Sequence, residues 1–85
     1  MKIQTTSRFD RDYARLPQQI QARTNKQLAL LLSNSRHRSL RIEKAEGYSN
    51  IWKGRITREY RFTFTIKGDT YILRRVGTHD VYKNP

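Results

Sequence analysis

Between Ile51 and Ile66, apolar and polar residues alternate closely enough to assign two strands and a register between them. Side chains on a strand point to opposite faces with period two, so Tyr60, Phe62, Phe64 and Ile66 share one face while Arg61, Thr63 and Thr65 share the other. The preceding run places Trp52, Gly54 and Ile56 on one side and Ile51, Lys53 and Arg55 on the other. A one-residue slip would send every side chain to the wrong face. A loop of Thr57, Arg58 and Glu59 keeps like with like: it pairs Ile56 with Tyr60, Gly54 with Phe62 and Trp52 with Phe64. The same register sets Arg55 opposite Arg61 and Lys53 opposite Thr63. Like charges facing each other across strands are unfavourable unless an anion lies over them. The hairpin therefore predicts one greasy face and one face that calls for an anion.

The periodicity elsewhere is helical or broken. Lys2 to Thr6 reads as a short strand, and Ser7 with Asp10 three residues on resembles a capping box that starts a helix. Phe9, Tyr13 and Leu16 form the apolar stripe of that helix. Pro17 breaks it and suits the first turn of a second helix, reaching to about Ser33, whose stripe is Ile20, Thr24, Leu28, Leu31 and Leu32. Core packing accounts for both stripes. Asn34 to Ser39 is a turn, in which His37 reads as a solvated side chain. Leu40, Ile42 and Lys44 begin a β-like stretch, interrupted at Glu46–Asn50. After Ile66, the segment Lys67-Gly68-Asp69 is a second turn signal. Read as a three-residue loop, it places Ile72 on the core face and Arg75 beside Arg61; a two-residue loop would place Arg74 on the basic face instead. The first of these is the expectation. Gly77 bends the chain at the strand end, and Lys83-Asn84-Pro85 is expected to be loose.

Composition narrows the function. The chain of 85 residues has room for one modest core, so a single domain over residues 1–85 is expected. Lys and Arg number 18 against 7 Asp and Glu, giving +11, and mean hydropathy is −0.91. The excess is spread over both halves of the chain, and it predicts a polyanionic partner bound in a salt-dependent way. Cysteine is absent, and two histidines 42 positions apart with few carboxylates make a poor metal site, so neither a metal nor another cofactor is expected. No apolar leader or membrane-length run is present, which points to a cytoplasmic protein with no membrane partner.

If the anion is RNA, cleavage without a metal uses the ribose 2′-OH as nucleophile. That chemistry needs a base, cations on the phosphate oxygens and an acid for the leaving 5′ oxygen. Arg61, Arg55 and Lys53 are the catalytic candidates for the phosphate, with Arg75, Arg58, Arg74 and Lys44 as further RNA-binding cations. Histidine is the side chain that can change charge near neutral pH, which makes His79 the natural acid or base. Tyr82 offers a hydroxyl, or a ring on which a base can stack. Trp52, Phe62 and Phe64 belong to the core face and stay outside the site.

The order of elements, with Trp52-Lys53-Gly54-Arg55-Ile56-Thr57, Tyr60-Arg61-Phe62 and the closing Gly77-Thr78-His79, resembles the RelE/ParE superfamily of bacterial type II toxins, particularly its RelE and YafQ branches. The resemblance spans nearly the whole chain. It implies an α+β fold, a small mostly antiparallel sheet with an N-terminal α-hairpin packed on one face. It also implies an endoribonuclease that cleaves mRNA on the ribosome, neutralised by a cognate antitoxin through which alone operator DNA would be met. By position, Arg61 matches the phosphate-stabilising arginine, Lys53 or Arg55 the basic positions before it, and His79 the histidine after Gly-Thr in YafQ-like members. Tyr82 matches a terminal aromatic. The sequence departs from the family pattern at His37-Arg38-Ser39, where YoeB-like members carry a glutamate base. A ParE-like gyrase inhibitor and an inactive relative acting only with its antitoxin remain the alternatives.

Overall fold

The computed structural model describes residues 1–85. Five strands form one sheet in the order β1-β5-β4-β3-β2, with β1 Lys2–Thr5, β2 Glu43–Lys44, β3 Trp52–Arg55, β4 Tyr60–Lys67 and β5 Thr70–Thr78. Only the β1–β5 pairing is parallel; the others are antiparallel. Two helices, α1 Ser7–Ala14 and α2 Gln18–Ser33, follow β1, and short 3₁₀ turns occupy Arg38–Leu40 and His79–Tyr82. The architecture is the expected α+β arrangement.

The central hairpin has the register read from the sequence: Trp52 lies opposite Phe64, Lys53 opposite Thr63, Gly54 opposite Phe62 and Arg55 opposite Arg61. Phe62, Phe64, Ile56, Tyr71, Leu73 and Val76 meet Phe9 and Leu31 of the helices and Leu40 in one buried core. Gly54 is required there, because a Cβ on it would stand 2.3 Å from the Phe62 ring. The ring thus occupies the space a side chain would take. Gln27 of α2, buried on the same side, donates from Nε2 to the Arg55 carbonyl at 3.0 Å and satisfies the end of β3.

Four expectations are corrected. The helix cap is Thr6, one residue before Ser7; its Oγ1 accepts from the Phe9 N–H at 3.2 Å and donates to the Leu73 carbonyl at 2.9 Å. Leu32 is 45% exposed, while Leu30 packs against the core. The β4–β5 turn has two residues, Gly68-Asp69, since Lys67 pairs with Thr70. Ile72 therefore faces Thr65 on the outer side, and Tyr71 and Leu73 enter the core. A bulge after Leu73 then inserts Arg74, so that Thr63 pairs with Arg75, Phe62 with Val76 and Arg61 with Gly77. Finally, the tail is anchored. The Pro85 carbonyl accepts from Thr63 Oγ1 at 2.9 Å and from Arg74 Nε at 3.0 Å, and both Thr63 and Pro85 are buried. No helix is long and apolar enough to cross a membrane.

Candidate active site

The outer face of β3 and β4, away from the helices, carries the cations. Beneath it the 3₁₀ turn His79–Tyr82 folds back over the sheet, and Gly77 makes room for this: a Cβ there would meet Val81 at 2.9 Å. Buried Val81 pins the turn, and His79 and Tyr82 are thereby aimed beside the strand cations. A cleft of about 370 Å³ results, lined by Lys53, Arg55, Arg61, His79 and Tyr82, the five residues selected from the sequence as catalytic, together with Arg41 and Glu43. The His79 and Tyr82 rings pack edge to face with centroids 5.6 Å apart. Lys53 Nζ lies 4.8 Å from the centre of the Tyr82 ring and 3.0 Å from Glu43 Oε1. This lysine is held between an aromatic face and a carboxylate directly opposite it on β2.

Arg55 and Arg61 form the close cross-strand pair. Ile56 N–H bonds the Tyr60 carbonyl, so the next pair along is of the non-hydrogen-bonded kind, in which side chains approach most closely. Arg61 Nη1 turns back to the β3–β4 loop and donates to the carbonyls of Thr57 at 2.6 Å, Arg58 at 2.8 Å and Tyr60 at 3.0 Å. These bonds lock the loop and fix the guanidinium, leaving its Nε and Nη2 without a partner in the chain. Neither arginine has a carboxylate partner, and burial together with Arg41, Arg61 and Arg58 holds Arg55 below the usual arginine pKa. Four cations against the one carboxylate of Glu43 leave the cleft with net positive charge, and the Arg55/Arg61 pair within it has no counter-ion. The Tyr82 phenol is pushed up to about 12, chiefly by burial and further by Glu43, against the opposing pull of Arg61. At neutral pH it keeps its proton.

The remaining cations lie elsewhere. Arg75 is tied to Asp12 of α1, with Nε 2.6 Å from Oδ2, and that carboxylate also accepts from the Val76 N–H at 3.2 Å. Asp12 serves the edge of β5 where β1, whose last pair is Thr5 with Leu73, no longer covers it. Arg75 thus holds the fold together and does not stand beside Arg61. Arg74 is turned to the Pro85 carbonyl, and Lys44 sits 5.9 Å over Trp52. Arg58, exposed in the β3–β4 loop, lines a second groove next to the cleft. His37 is an exposed loop residue whose Nδ1 accepts from the Ser39 N–H at 3.2 Å. A larger concavity, about 600 Å³, lies against the core between α2 and the sheet, away from His79 and Tyr82.

Arg41 and Glu43 were not selected from the sequence. Arg41 has φ 45° and ψ 47°, a left-handed conformation uncommon for a residue with a side chain. Glu43 belongs to a strand of two residues, too short to show alternation. The one available signal was Glu43 itself, an acidic residue amid basic neighbours on the run leading to Lys53.

No family model matches the chain, and no curated protein does either. The sheet order and the helix pair are an α+β fold shared with solved RelE, YafQ and YoeB toxins. A chain of the RelB–RelE antitoxin–toxin complex from Methanococcus jannaschii matches with TM-score 0.76 and 24% identity, over 94% of each chain. YafQ from Escherichia coli matches with TM-score 0.75 and 13% identity, also over 94% of each. The YoeB/ParE toxin from Agrobacterium tumefaciens matches with TM-score 0.78 and 21% identity, over 93% of this chain and 99% of that one. At such identities the likeness establishes the fold, and the chemistry must be argued from the cleft.

Proposed function

We propose that this protein is the toxin of a toxin–antitoxin pair, a cytoplasmic endoribonuclease that cleaves mRNA on the ribosome through attack by the ribose 2′-OH. The observation that carries the reading is the convergence of Lys53, Arg55, Arg61, His79 and Tyr82 on one cleft, from three separate segments of the chain. Solved structures with this fold include toxins bound to antitoxins, RelB–RelE and DinJ–YafQ, which supports a cognate antitoxin as partner. The cleft holds one carboxylate and one imidazole among four cations, a donor set suited to moving protons around a phosphate.

In this reading the free edge of Arg61 and the Arg55 guanidinium take the equatorial phosphate oxygens, where negative charge builds up in the transition state. Lys53, held by Glu43 and the Tyr82 ring, adds a fixed charge. Glu43 supplies the carboxylate missing from His37-Arg38-Ser39 and takes the 2′-OH proton, while His79 returns a proton to the 5′ oxygen. Tyr82, protonated at neutral pH, supports a base by stacking and donates a hydrogen bond. The test is to add the protein to programmed ribosomes and map mRNA 3′ ends. His79→Ala, Arg61→Ala and Glu43→Gln should each lower cleavage by about 10²-fold or more. Intact mRNA accompanied by gyrase-dependent DNA breaks would instead identify a ParE-like inhibitor.

A further inference from the structure

A second groove of about 560 Å³ adjoins the cleft on the side of the β3–β4 loop, and the two share Arg41 and Arg55. Arg23 of α2, Arg38 of the first 3₁₀ turn and Arg58 of the loop complete five arginines around it, with no carboxylate among its lining residues. None of the five takes part in an ion pair, although carboxylates elsewhere engage Arg75 and three lysines. An exposed cation that merely solubilises a surface needs no such company; five sharing one concavity repel one another and oppose folding.

The groove is also built to hold its shape. Leu40, fully buried, pins the 3₁₀ turn that carries Arg38, and His37 caps that turn through the Ser39 N–H. Arg41, the only residue other than glycine with positive φ, is held by its N–H bond to the Arg38 carbonyl at 3.1 Å. A left-handed arginine costs conformational free energy, and such positions persist where the surroundings impose them, often at ligand sites. Its side chain lines both concavities.

We infer that the second groove binds the backbone of single-stranded RNA flanking the cleaved phosphate, so that Arg41 and Arg55 hand one continuous strand from the groove to the cleft. The inference rests on the RNA-cleaving reading and extends it from one phosphate to several. A duplex is too wide for a concavity of this size, whereas a strand can follow the bend around Arg55.

The experiment measures binding of a 2′-O-methyl RNA of roughly eight nucleotides, which cannot be cleaved, and of its two-nucleotide version, across a salt series. Wild-type protein is compared with the triple variant Arg23→Gln/Arg38→Gln/Arg58→Gln, all at exposed positions outside the cleft. The variant should bind the longer RNA at least about tenfold more weakly at low salt, with a salt slope lower by about 2, and bind the short RNA as before. Unchanged affinity and slope for the longer RNA would overturn the inference while leaving the cleft reading intact. Equal arginine dependence for an RNA hairpin stem, or for an oligoglutamate peptide of matched charge, would also overturn it, in favour of duplex or acidic protein. A wild-type protein that binds neither RNA would overturn the inference as well, whereas mRNA left intact on programmed ribosomes would defeat the cleavage reading beneath it.

Discussion

The two faces of the same hairpin follow opposite rules. On the helix side, Phe62 sits over Gly54, Phe64 stacks on Phe62 and meets Tyr71 edge-on, and the end carbonyl of β3 finds Gln27. No buried side-chain polar atom there or elsewhere lacks a partner. On the other side Arg55 faces Arg61 with nothing acidic between them. The first face is complete in the free protein, and the second leaves the Arg55 and Arg61 guanidiniums without a counter-ion. On the proposed reading, stability and function are separated by the thickness of one sheet, and substitutions should divide accordingly.

The largest effect is expected on the packed face. Phe62→Ala removes a ring that is fully buried and leaves Gly54 with nothing above it, and it should cost about 3–5 kcal/mol in urea unfolding. A loss below about 1 kcal/mol would show that the core is organised around something else. On the opposite face, Arg55→Thr should leave stability unchanged or raise it, because it relieves the repulsion from Arg41, Arg61 and Arg58, while mRNA cleavage falls about 10²-fold. A clear loss of stability would mean that Arg55 is part of the packing and would collapse the distinction between the faces.

The smallest effect is at Tyr82. Its phenol titrates at about 12, against an ordinary tyrosine value of about 10. Between these values the folded chain keeps a proton that the unfolded chain has lost, so the Tyr82 contribution is complete below pH ~10 and disappears as pH rises through ~12. Tyr82→Phe should therefore flatten the decline of stability in that window, and should remove the phenol that ionises near 12 from an ultraviolet titration. A variant whose titration curve still contains that late step would assign the buried phenol to another tyrosine.

The hairpin was legible because its two faces differ so sharply that only one register keeps them apart. The last strand was less so. The doublets Ile72-Leu73 and Arg74-Arg75 fit two alternations, and the bulge uses both: one holds up to Leu73 and the other from Arg75 onward. A pattern of uniform period cannot announce the residue at which it changes. The convergence of His79 and Tyr82 on the strand cations followed from chemistry, but Glu43 and Arg41 did not, since one lies in a two-residue strand and the other owes its place to a backbone angle. The anchoring of the tail was illegible for a related reason. Its anchors are backbone carbonyls accepting from Thr63, Arg74 and Arg75, and a carbonyl has no letter in the sequence.

The bulge at Arg74 has a further meaning as a matter of parity. Tyr71 and Leu73 enter the core at odd positions, Val76 at an even one. Without the added residue the chain beyond position 74 would arrive half a period out of step, with Gly77 turned toward the helices and the His79–Tyr82 turn leaving from the wrong side of the sheet. One uncounted residue in the middle of a strand therefore decides to which side of the molecule the imidazole and the phenol are delivered, at a distance from the phosphate they are proposed to serve.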